Sequence, residues 1–211
     1  MLFRSHMIRI LGVRKLKGAE HRVISDRIEA GTFMTAATIT GGHLMLKGSD
    51  PSHNTALIDK LRLAGVSVAT HNSTIDVRGK AVQPMNITTL PYPGFPTDLQ
   101  AQMTALMSVT NGISIITEKI YPERFIHISE LGRMGAHIFM EGPSAIVHGV
   151  KKLSGAPVMA SDLRASAALI LAGLAAQGRT EVHRVYHLDR GYEKVEQKLA
   201  KVGARIWREK A

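Results

Sequence analysis

The segment Leu131-Gly-Arg-Met-Gly135-Ala-His-Ile138 decides how this chain is interpreted, because the sequence contains two further versions of it. These are Leu61-Arg-Leu-Ala-Gly65-Val-Ser-Val68 and Leu199-Ala-Lys-Val-Gly203-Ala-Arg-Ile206, and the successive glycines are 70 and 68 residues apart. A glycine directly after a helix adopts the left-handed conformation at low cost, and a strand can then begin. Each segment therefore predicts the end of a helix followed by a strand, repeated three times along the chain.

A second signature, Ser or Thr followed by Asp, recurs at a similar period. Its copies are Ser25-Asp26, Thr97-Asp98 and Ser161-Asp162. Each copy precedes an apolar stretch that is predicted to be a helix, and each helix precedes a short alternating stretch that is predicted to be a strand. The helices cover 28–39, 99–109 and 163–176, and the strands cover 43–46, 114–117 and 180–183. Ser or Thr at an N-cap with Asp in the first turn is ordinary helix-start chemistry, so capping is one interpretation of these carboxylates.

The signatures together predict an α/β domain over residues 1–211, built from three strand–helix–strand–helix–strand copies with approximate bounds 8–78, 79–145 and 146–211. The stretch 163–176 is apolar nearly all round, which is typical of a helix buried on every side. In contrast, Tyr192–Val202 keeps Val195, Leu199 and Val202 on one face. Three copies around a pseudo-threefold axis would place the buried helices inside and the sheets outside. Residues 1–7, MLFRSHM, match no motif and are interpreted as a cloning or start-site remnant.

A third echo supports the repeat. Gly12-Val-Arg-Lys-Leu-Lys-Gly-Ala19 resembles Gly149-Val-Lys-Lys-Leu-Ser-Gly-Ala156, at an offset of 137 residues, which is about two periods.

Composition excludes several classes of protein. The chain has no cysteine, which excludes a disulfide scaffold, a thiolate nucleophile and a zinc site with cysteine ligands within it. Its 10 histidines show no metal-ligand spacing, so no metal site is predicted. No dinucleotide, Walker or serine-hydrolase motif occurs, which argues against these three classes of protein. We find no signal peptide and no apolar run long enough to span a bilayer, which predicts a soluble, cytoplasmic protein without a membrane partner.

The net charge of +10 favours anionic partners, namely nucleic acid, phosphate esters or an acidic surface. No recognised nucleic-acid motif occurs, so nucleic acid is the least favoured of these.

The copies differ in the loops that precede their surface helices, and such differences point to function. The second copy carries Arg124 and the third carries Arg190, whereas the first copy has Gly48-Ser-Asp50-Pro-Ser-His53 with no arginine. The fold therefore does not require a guanidinium there, and two of them on equivalent loops could line one site for phosphate or carboxylate. The open alternative is an exposed salt bridge, for instance between Arg190 and Asp189.

Four segments resemble the enolpyruvyl transferase family, and within it the members that act on UDP-N-acetylglucosamine. They are Tyr92-Pro-Gly-Phe-Pro-Thr-Asp98-Leu-Gln-Ala-Gln102, Ile128-Ser-Glu-Leu-Gly-Arg-Met-Gly135, Ala160-Ser-Asp162-Leu-Arg164-Ala-Ser166 and Tyr186-His-Leu-Asp-Arg190-Gly-Tyr-Glu193. The resemblance covers the C-terminal half of such proteins. It implies a fold with sheets outside and helices inside, an inside-out α/β barrel, which agrees with the repeat. The family's enzyme of aromatic amino-acid synthesis shares the fold, but its phosphate-binding signatures match less well.

The resemblance also implies a reaction and the residues that perform it. An enolpyruvyl group would pass from phosphoenolpyruvate to the 3-hydroxyl of UDP-N-acetylglucosamine, the first committed step of peptidoglycan synthesis, without a metal or organic cofactor. Asp98 matches the carboxylate that binds the sugar hydroxyl and takes its proton. The remaining matches are a nucleotide contact through the backbone at Ile120, a phosphoenolpyruvate-binding guanidinium at Arg190, and cleft residues at Arg124, Asp162 and Arg164.

The resemblance leaves out part of the family's site. Members carry a mobile loop in their other domain, with a general acid that is commonly Cys, and a Lys and an Arg for phosphate. None of these has a counterpart here, so we expect negligible activity unless a complementary N-terminal domain is the partner of this chain. The alternatives are a non-catalytic repeat domain that holds a phosphorylated ligand with Arg124 and Arg190, and a basic nucleic-acid binder.

Overall fold

The computed structural model describes residues 9–209, and the fold follows from how buried helices alternate with short strands in them. The proposed remnant at residues 1–7 lies outside the described residues. The helices are α1 (Arg27–Ile39), α2 (Thr55–Leu63), α3 (Gln100–Ser108), α4 (His127–Arg133), α5 (Leu163–Ala175) and α6 (Val195–Lys201). The strands are β1 (His43–Lys47), β2 (Ser67–His71), β3 (Thr74–Arg78), β4 (Ile87–Thr88), β5 (Ile113–Thr117), β6 (His137–Glu141), β7 (Ser144–His148), β8 (Pro157–Met159) and β9 (Glu181–His183). Short 3₁₀ helices cover Pro51–Asn54, Thr97–Leu99 and Val185–Arg190.

The helices and turns predicted from local signals are confirmed. Helices α1, α3 and α5 lie within one or two residues of the predicted bounds. Gly65, Gly135 and Gly203 follow α2, α4 and α6 with φ of 87°, 89° and 102°, the left-handed region that glycine enters most readily. On α6, Val195 and Leu199 are buried as predicted, but Val202 lies past the end of the helix and is 53% exposed.

The strands form three separate sheets in the described part of the chain, with orders β1-β3-β2, β4-β5-β7-β6 and β8-β9. The surface helices α2 and α4 are each followed by an antiparallel hairpin, β2-β3 and β6-β7, rather than by the single strand that the sequence predicts. After α6, the strand predicted at 204–206 is absent, because no neighbouring strand pairs with these residues in the described structure. Residues 9–26 likewise contain no strand.

The helices that follow the Ser/Thr-Asp signature form the centre of the fold. Helices α1, α3 and α5 pack against one another, and every residue of α3 is buried. Three hydrophobic cores surround them: one joins α1, α2 and α3 to the first two sheets, one joins α3, α4 and α5, and one joins α1, α5 and α6. Among the described helices, none is both long and apolar enough to span a membrane.

Of the two glycines at the start of the third repeated segment, Gly12 and Gly149, only Gly149 is required by close packing. A Cβ on Gly149 would overlap the backbone carbonyl of Thr110, and the Gly149 N–H donates to the Gly112 carbonyl at 2.9 Å. Gly12, its counterpart in the echo, has no atom within 4 Å of its Cβ position. The same sequence pattern therefore packs tightly beside the second sheet and is exposed near the start of the described chain.

We predict that Gly149→Ala destabilises the protein by about 3 kcal/mol, because backbone atoms would have to move to admit a methyl group. The matched control, Gly12→Ala, should change the free energy of unfolding by less than about 0.5 kcal/mol. Urea unfolding followed by circular dichroism measures both. Equal effects of the two substitutions would contradict the packing described here.

Candidate active site

The Ser/Thr-Asp signature starts two of the central helices through its Asp, not through its Ser. Asp26 is the N-cap of α1, and its Oδ1 accepts from the N–H groups of Ile28 and Glu29 at 2.7 and 3.2 Å. Asp162 caps α5 in the same way, at 2.7 Å from the Arg164 N–H and 2.9 Å from the Ala165 N–H. The prediction that Ser is the N-cap and Asp lies in the first turn is therefore wrong for these copies, since the carboxylate itself satisfies the free N–H groups.

Asp98 departs from this pattern. In the second copy a 3₁₀ turn over Thr97–Leu99 precedes α3, and the residue at its N-cap position is Pro96. Asp98 therefore lies inside the turn, and its side chain caps no helix. The capping interpretation holds for Asp26 and Asp162 but fails here, which leaves this carboxylate available for other partners.

Two guanidinium groups hold the Asp98 carboxylate. Arg124 donates from Nη1 to Oδ1 at 2.7 Å, and Arg164 donates from Nη2 to Oδ2 at 3.0 Å. Arg124 lies in the loop after β5, and Arg164 lies in the first turn of α5. Their side chains are 26% and 15% exposed and that of Asp98 is 36% exposed, so solvent reaches the carboxylate more easily than its partners. Three segments that are distant in sequence thus meet at the Asp98 carboxylate.

Burial and charge compete in setting the protonation of this group. Burial alone raises the pKa of the Asp98 carboxyl, but the hydrogen bonds and positive charges of Arg164 and Arg124 outweigh it and hold the pKa below its usual value. Burial alone would lower the pKa of Arg164, yet Asp98 raises it. Asp98 is therefore ionised at neutral pH, and it is a weak base for as long as both guanidinium groups remain bound to it.

Arg190 lies beside the start of α5, but its side chain does not join this cluster. The next residue, Gly191, packs so closely on α5 that an added Cβ would lie 2.8 Å from a Leu163 methyl group. The Arg190 side chain is exposed and forms no ion pair within residues 9–209. The alternative pairing with Asp189 is wrong: Asp189 accepts from both terminal nitrogens of Arg208, at 2.7 and 2.8 Å.

Ile120 lies in the loop that carries Arg124. Its side chain is 38% exposed, and its N–H donates to the Glu118 carboxylate at 2.8 Å. Since that N–H already has a partner, a ligand contact through the Ile120 backbone has to use the carbonyl oxygen.

Sequence reasoning missed the buried carboxylate of Glu118. It is 1% exposed and accepts from the hydroxyls of Thr89 and Thr97 as well as from two backbone N–H groups. The same comparison between copies that singled out Arg124 would have found it. Ser49 is the first-copy counterpart, since the N–H groups of Ser49 and Glu118 both donate across their sheets to a hairpin carbonyl.

Sequence reasoning also missed the burial of His127. It begins α4, is 2% exposed, and its Nε2 has no hydrogen-bond partner among the described residues. Burial lowers the pKa of His127 to about 4, while the charge of Asp162 raises it and that of Arg124 lowers it. The ring is therefore neutral at physiological pH and lies within electrostatic range of both site residues.

The charges of the cluster suit an anion. Arg124 and Arg164 carry two positive charges around the single negative charge of Asp98. A phosphate or carboxylate could replace part of the Asp98 contact, because guanidinium groups bind all of these oxygens with similar geometry. Within residues 9–209 no group of three His, Asp or Glu side chains is arranged to hold a metal ion.

Comparison with known proteins shows the family to which the chain belongs. The family model for EPSP synthase (3-phosphoshikimate 1-carboxyvinyltransferase) matches residues 3–199. The chain belongs to this family.

The similar curated proteins share one name. Proteins named UDP-N-acetylglucosamine 1-carboxyvinyltransferase from Myxococcus xanthus and Trichlorobacter lovleyi are 57% and 59% identical over 97% and 95% of this chain, but over only 49% and 48% of their own lengths. The chain therefore spans about half the length of the curated relatives it matches.

Solved structures extend the likeness to the fold. The enolpyruvyl transferase NikO from Streptomyces tendae matches 88% of this chain and 44% of its own, with a TM-score of 0.79 and 28% identity. EPSP synthase from Acinetobacter baumannii matches 77% of this chain and 40% of its own, with a TM-score of 0.60 and 19% identity, which shows the fold alone. The α/β fold is thus the enolpyruvyl transferase fold.

The buried His127 predicts a pH dependence of stability. Because its pKa falls from 6.5 to about 4 on folding, the unfolded state binds more protons between these values, and stability is lost as the pH falls through this window. Between pH 7 and pH 5, protonation of this group alone should lower the free energy of unfolding by about 2 kcal/mol.

We predict that His127→Gln, which cannot titrate, removes about 2 kcal/mol of the difference between unfolding free energies at pH 7 and pH 5. Urea titrations at the two pH values measure it. His71→Gln, at an exposed strand position, is the control and should leave the difference unchanged. An identical pH dependence in wild type and His127→Gln would contradict a buried neutral ring.

Proposed function

We propose that this chain supplies one half of an active-site cleft that transfers the enolpyruvyl group of phosphoenolpyruvate to the 3-hydroxyl of UDP-N-acetylglucosamine. The observation that carries the proposal is the Asp98 carboxylate held between Arg124 and Arg164 at the start of two central helices. The shared name of relatives that are 57% and 59% identical supports it. The reaction would be the first committed step of peptidoglycan synthesis, in the cytoplasm.

The architecture that we propose for this half is an inside-out α/β barrel of three pseudo-threefold copies. The mutual packing of α1, α3 and α5 supports it, as do the three cores that each join elements of two copies. Within the described residues, the third copy has the smallest sheet, of two strands.

The proposed chemistry begins at Asp98. Its carboxylate accepts a hydrogen bond from the sugar 3-hydroxyl and takes the proton as the oxygen bonds to C2 of phosphoenolpyruvate, while C3 gains a proton from the other half. The tetrahedral intermediate then returns a proton from C3 to the other half and releases phosphate from C2, which leaves the enolpyruvyl ether. Arg124, Arg164 and Arg190 stabilise the phosphate and carboxylate charges through both steps.

The remaining predicted residues position these groups. Asp162 fixes the first turn of α5 by capping it, and therefore fixes the backbone of Arg164. Ile120 offers its carbonyl oxygen to the nucleotide sugar. No metal or organic cofactor takes part in this proposal, since the leaving group is phosphate and its charge is met by guanidinium groups.

We predict that the isolated 211-residue chain has negligible turnover, because half a cleft can neither exclude water nor supply the second proton donor. Mixing it with the complementary N-terminal half of the Myxococcus xanthus relative should produce phosphate release that depends on UDP-N-acetylglucosamine. A coupled phosphate assay of each half alone and of the mixture measures this. Substantial activity of this chain alone would refute the proposal that both halves are needed for the active site. Binding without turnover in the mixture would favour a non-catalytic domain.

In the reconstituted mixture, Asp98→Asn should lower kcat by 10²–10⁴-fold (roughly the contribution of a general base), because the amide can bind the hydroxyl but cannot take its proton. Asp59→Asn is the matched control. Its carboxylate is 69% exposed on α2 and lies 4.0 Å from the Arg62 guanidinium, so kcat should be unchanged. Equal activity of Asp98→Asn and wild type would remove Asp98 from the mechanism.

A further inference from the structure

Glu118 receives four hydrogen bonds and no ion pair within the described residues. Its Oε1 accepts from the Thr89 hydroxyl at 2.5 Å, the Ile120 N–H at 2.8 Å and the Tyr121 N–H at 3.0 Å. Its Oε2 accepts from the Thr97 hydroxyl at 2.9 Å. A buried carboxylate is costly unless its oxygens are satisfied, and here neutral donors satisfy them.

These four donors belong to the segments that carry the candidate site. Thr97 is adjacent to Asp98, Ile120 begins the loop that reaches Arg124, and Thr89 follows β4. Thr89 also accepts from the Lys119 N–H at 2.9 Å, so it holds the same loop a second time. Glu118 therefore links the turn that contains Asp98 to the loop that contains Arg124, through its hydrogen bonds to Thr97 and to the Ile120 N–H.

The direction of the Thr97 hydroxyl matters most. A carboxylate can only accept hydrogen bonds and a guanidinium can only donate them. Thr97 must therefore point its proton at Glu118, which leaves its oxygen lone pairs free for the Arg124 Nη1, 3.1 Å away. The same Nη1 donates to Asp98 at 2.7 Å. A chain of polar contacts thus runs from Glu118 through Thr97 to Arg124, and it ends at the carboxylate of the proposed base.

We propose that Glu118 is a positioning residue for the reaction, acting through the Thr97 hydroxyl to fix the Arg124 guanidinium beside Asp98. It touches no reacting atom in this scheme. The inference about the reaction rests on the proposed function, whereas the inference about Arg124 rests on the hydrogen bonds alone.

Glu118→Gln separates this role from simple packing. The amide has nearly the shape of the carboxylate, and its carbonyl oxygen can still accept at the Oε1 position. Its NH₂ group would face Thr97, whose hydroxyl would then have to accept from both this amide and Arg124 and would lose its own acceptor. Thr97→Val removes the same link from the other side, and Thr97→Ser restores it.

The first test uses the 211-residue chain without substrate. Nitrogen-15 NMR of arginine side chains, with the Arg124 signal assigned through Arg124→Lys, reports hydrogen exchange at this guanidinium. We expect Glu118→Gln and Thr97→Val each to speed that exchange about tenfold, and the double variant to add little, because both break one link. Thr97→Ser should behave as wild type. Glu141→Gln, at an exposed position on β6, should change nothing.

The second test uses the chain mixed with the complementary half described above. A misplaced Arg124 should lower kcat/KM for phosphoenolpyruvate about tenfold in Glu118→Gln and Thr97→Val, again without additivity, while Thr97→Ser retains wild-type values.

Unchanged Arg124 exchange in both link-breaking variants would overturn the proposal, and so would effects that multiply in the double variant. If Glu118→Gln does not fold, the comparison of Thr97→Val with Thr97→Ser decides. If the variants alter hydrogen exchange at Arg124 but the mixture shows no turnover, the proposed function is wrong and the positioning role of Glu118 is retained.

Discussion

The packing of three helices against one another constrains everything else in this fold. The polar side chains of a helix with no exposed face can find partners only within the core. Gln102 of α3 donates to Thr32 of α1 at 3.2 Å, and the Tyr192 hydroxyl meets the same Thr32 at 2.8 Å. Burial raises the pKa of Tyr192, so the hydroxyl keeps its proton and remains a donor. These two hydrogen bonds join elements from all three predicted copies.

The first N–H groups of each central helix also need hydrogen-bond acceptors, and the three copies supply these acceptors in different ways. Asp26 and Asp162 satisfy the first N–H groups of α1 and α5. At α3 a 3₁₀ turn takes over that task, so Asp98 is released from capping and turns toward Arg124 and Arg164. The same two-residue signature therefore serves structure in two copies and supplies the candidate chemistry in one. Repeated architecture makes such a difference visible, because the sister copies show what the fold alone requires.

The features that could be predicted from the sequence are those set by local rules. The central helices and the left-handed glycines depend on a few neighbouring residues, and their positions were predicted correctly. The hairpins after α2 and α4 were not, and the strand predicted at 204–206 does not form, because a strand exists only through a partner elsewhere in the chain. Comparison of copies found Arg124 and Arg190, and the family resemblance added Asp98 and Arg164. Only the structure shows that Arg124 and Arg164 bind Asp98 and that Arg190 does not join them.

Glu118 and His127 escaped prediction because their environments are built from distant segments. The partners of Glu118 include Thr89 and Thr97, which are 29 and 21 residues away in sequence. A glutamate after a strand is ordinarily a solvent-exposed residue, and only the folded arrangement buries it. Similarly, His127 differs from the other histidines of residues 9–209 through burial, which its neighbours in sequence do not reveal.

The geometry of Asp98 also bears on how such a site could work. A carboxylate whose pKa is held low by two guanidinium groups is stable but poorly basic, so it suits the resting enzyme better than the reacting one. An incoming phosphate and carboxylate would draw the guanidinium charges toward themselves, and the pKa of Asp98 would then rise. The substrate that needs a base would thus help to create it. Arg164 is more buried than Arg124 and lies on a capped helix, whereas Arg124 lies on a loop, so Arg124 is the guanidinium better able to shift. Its movement is limited by Thr97 and, through Thr97, by Glu118.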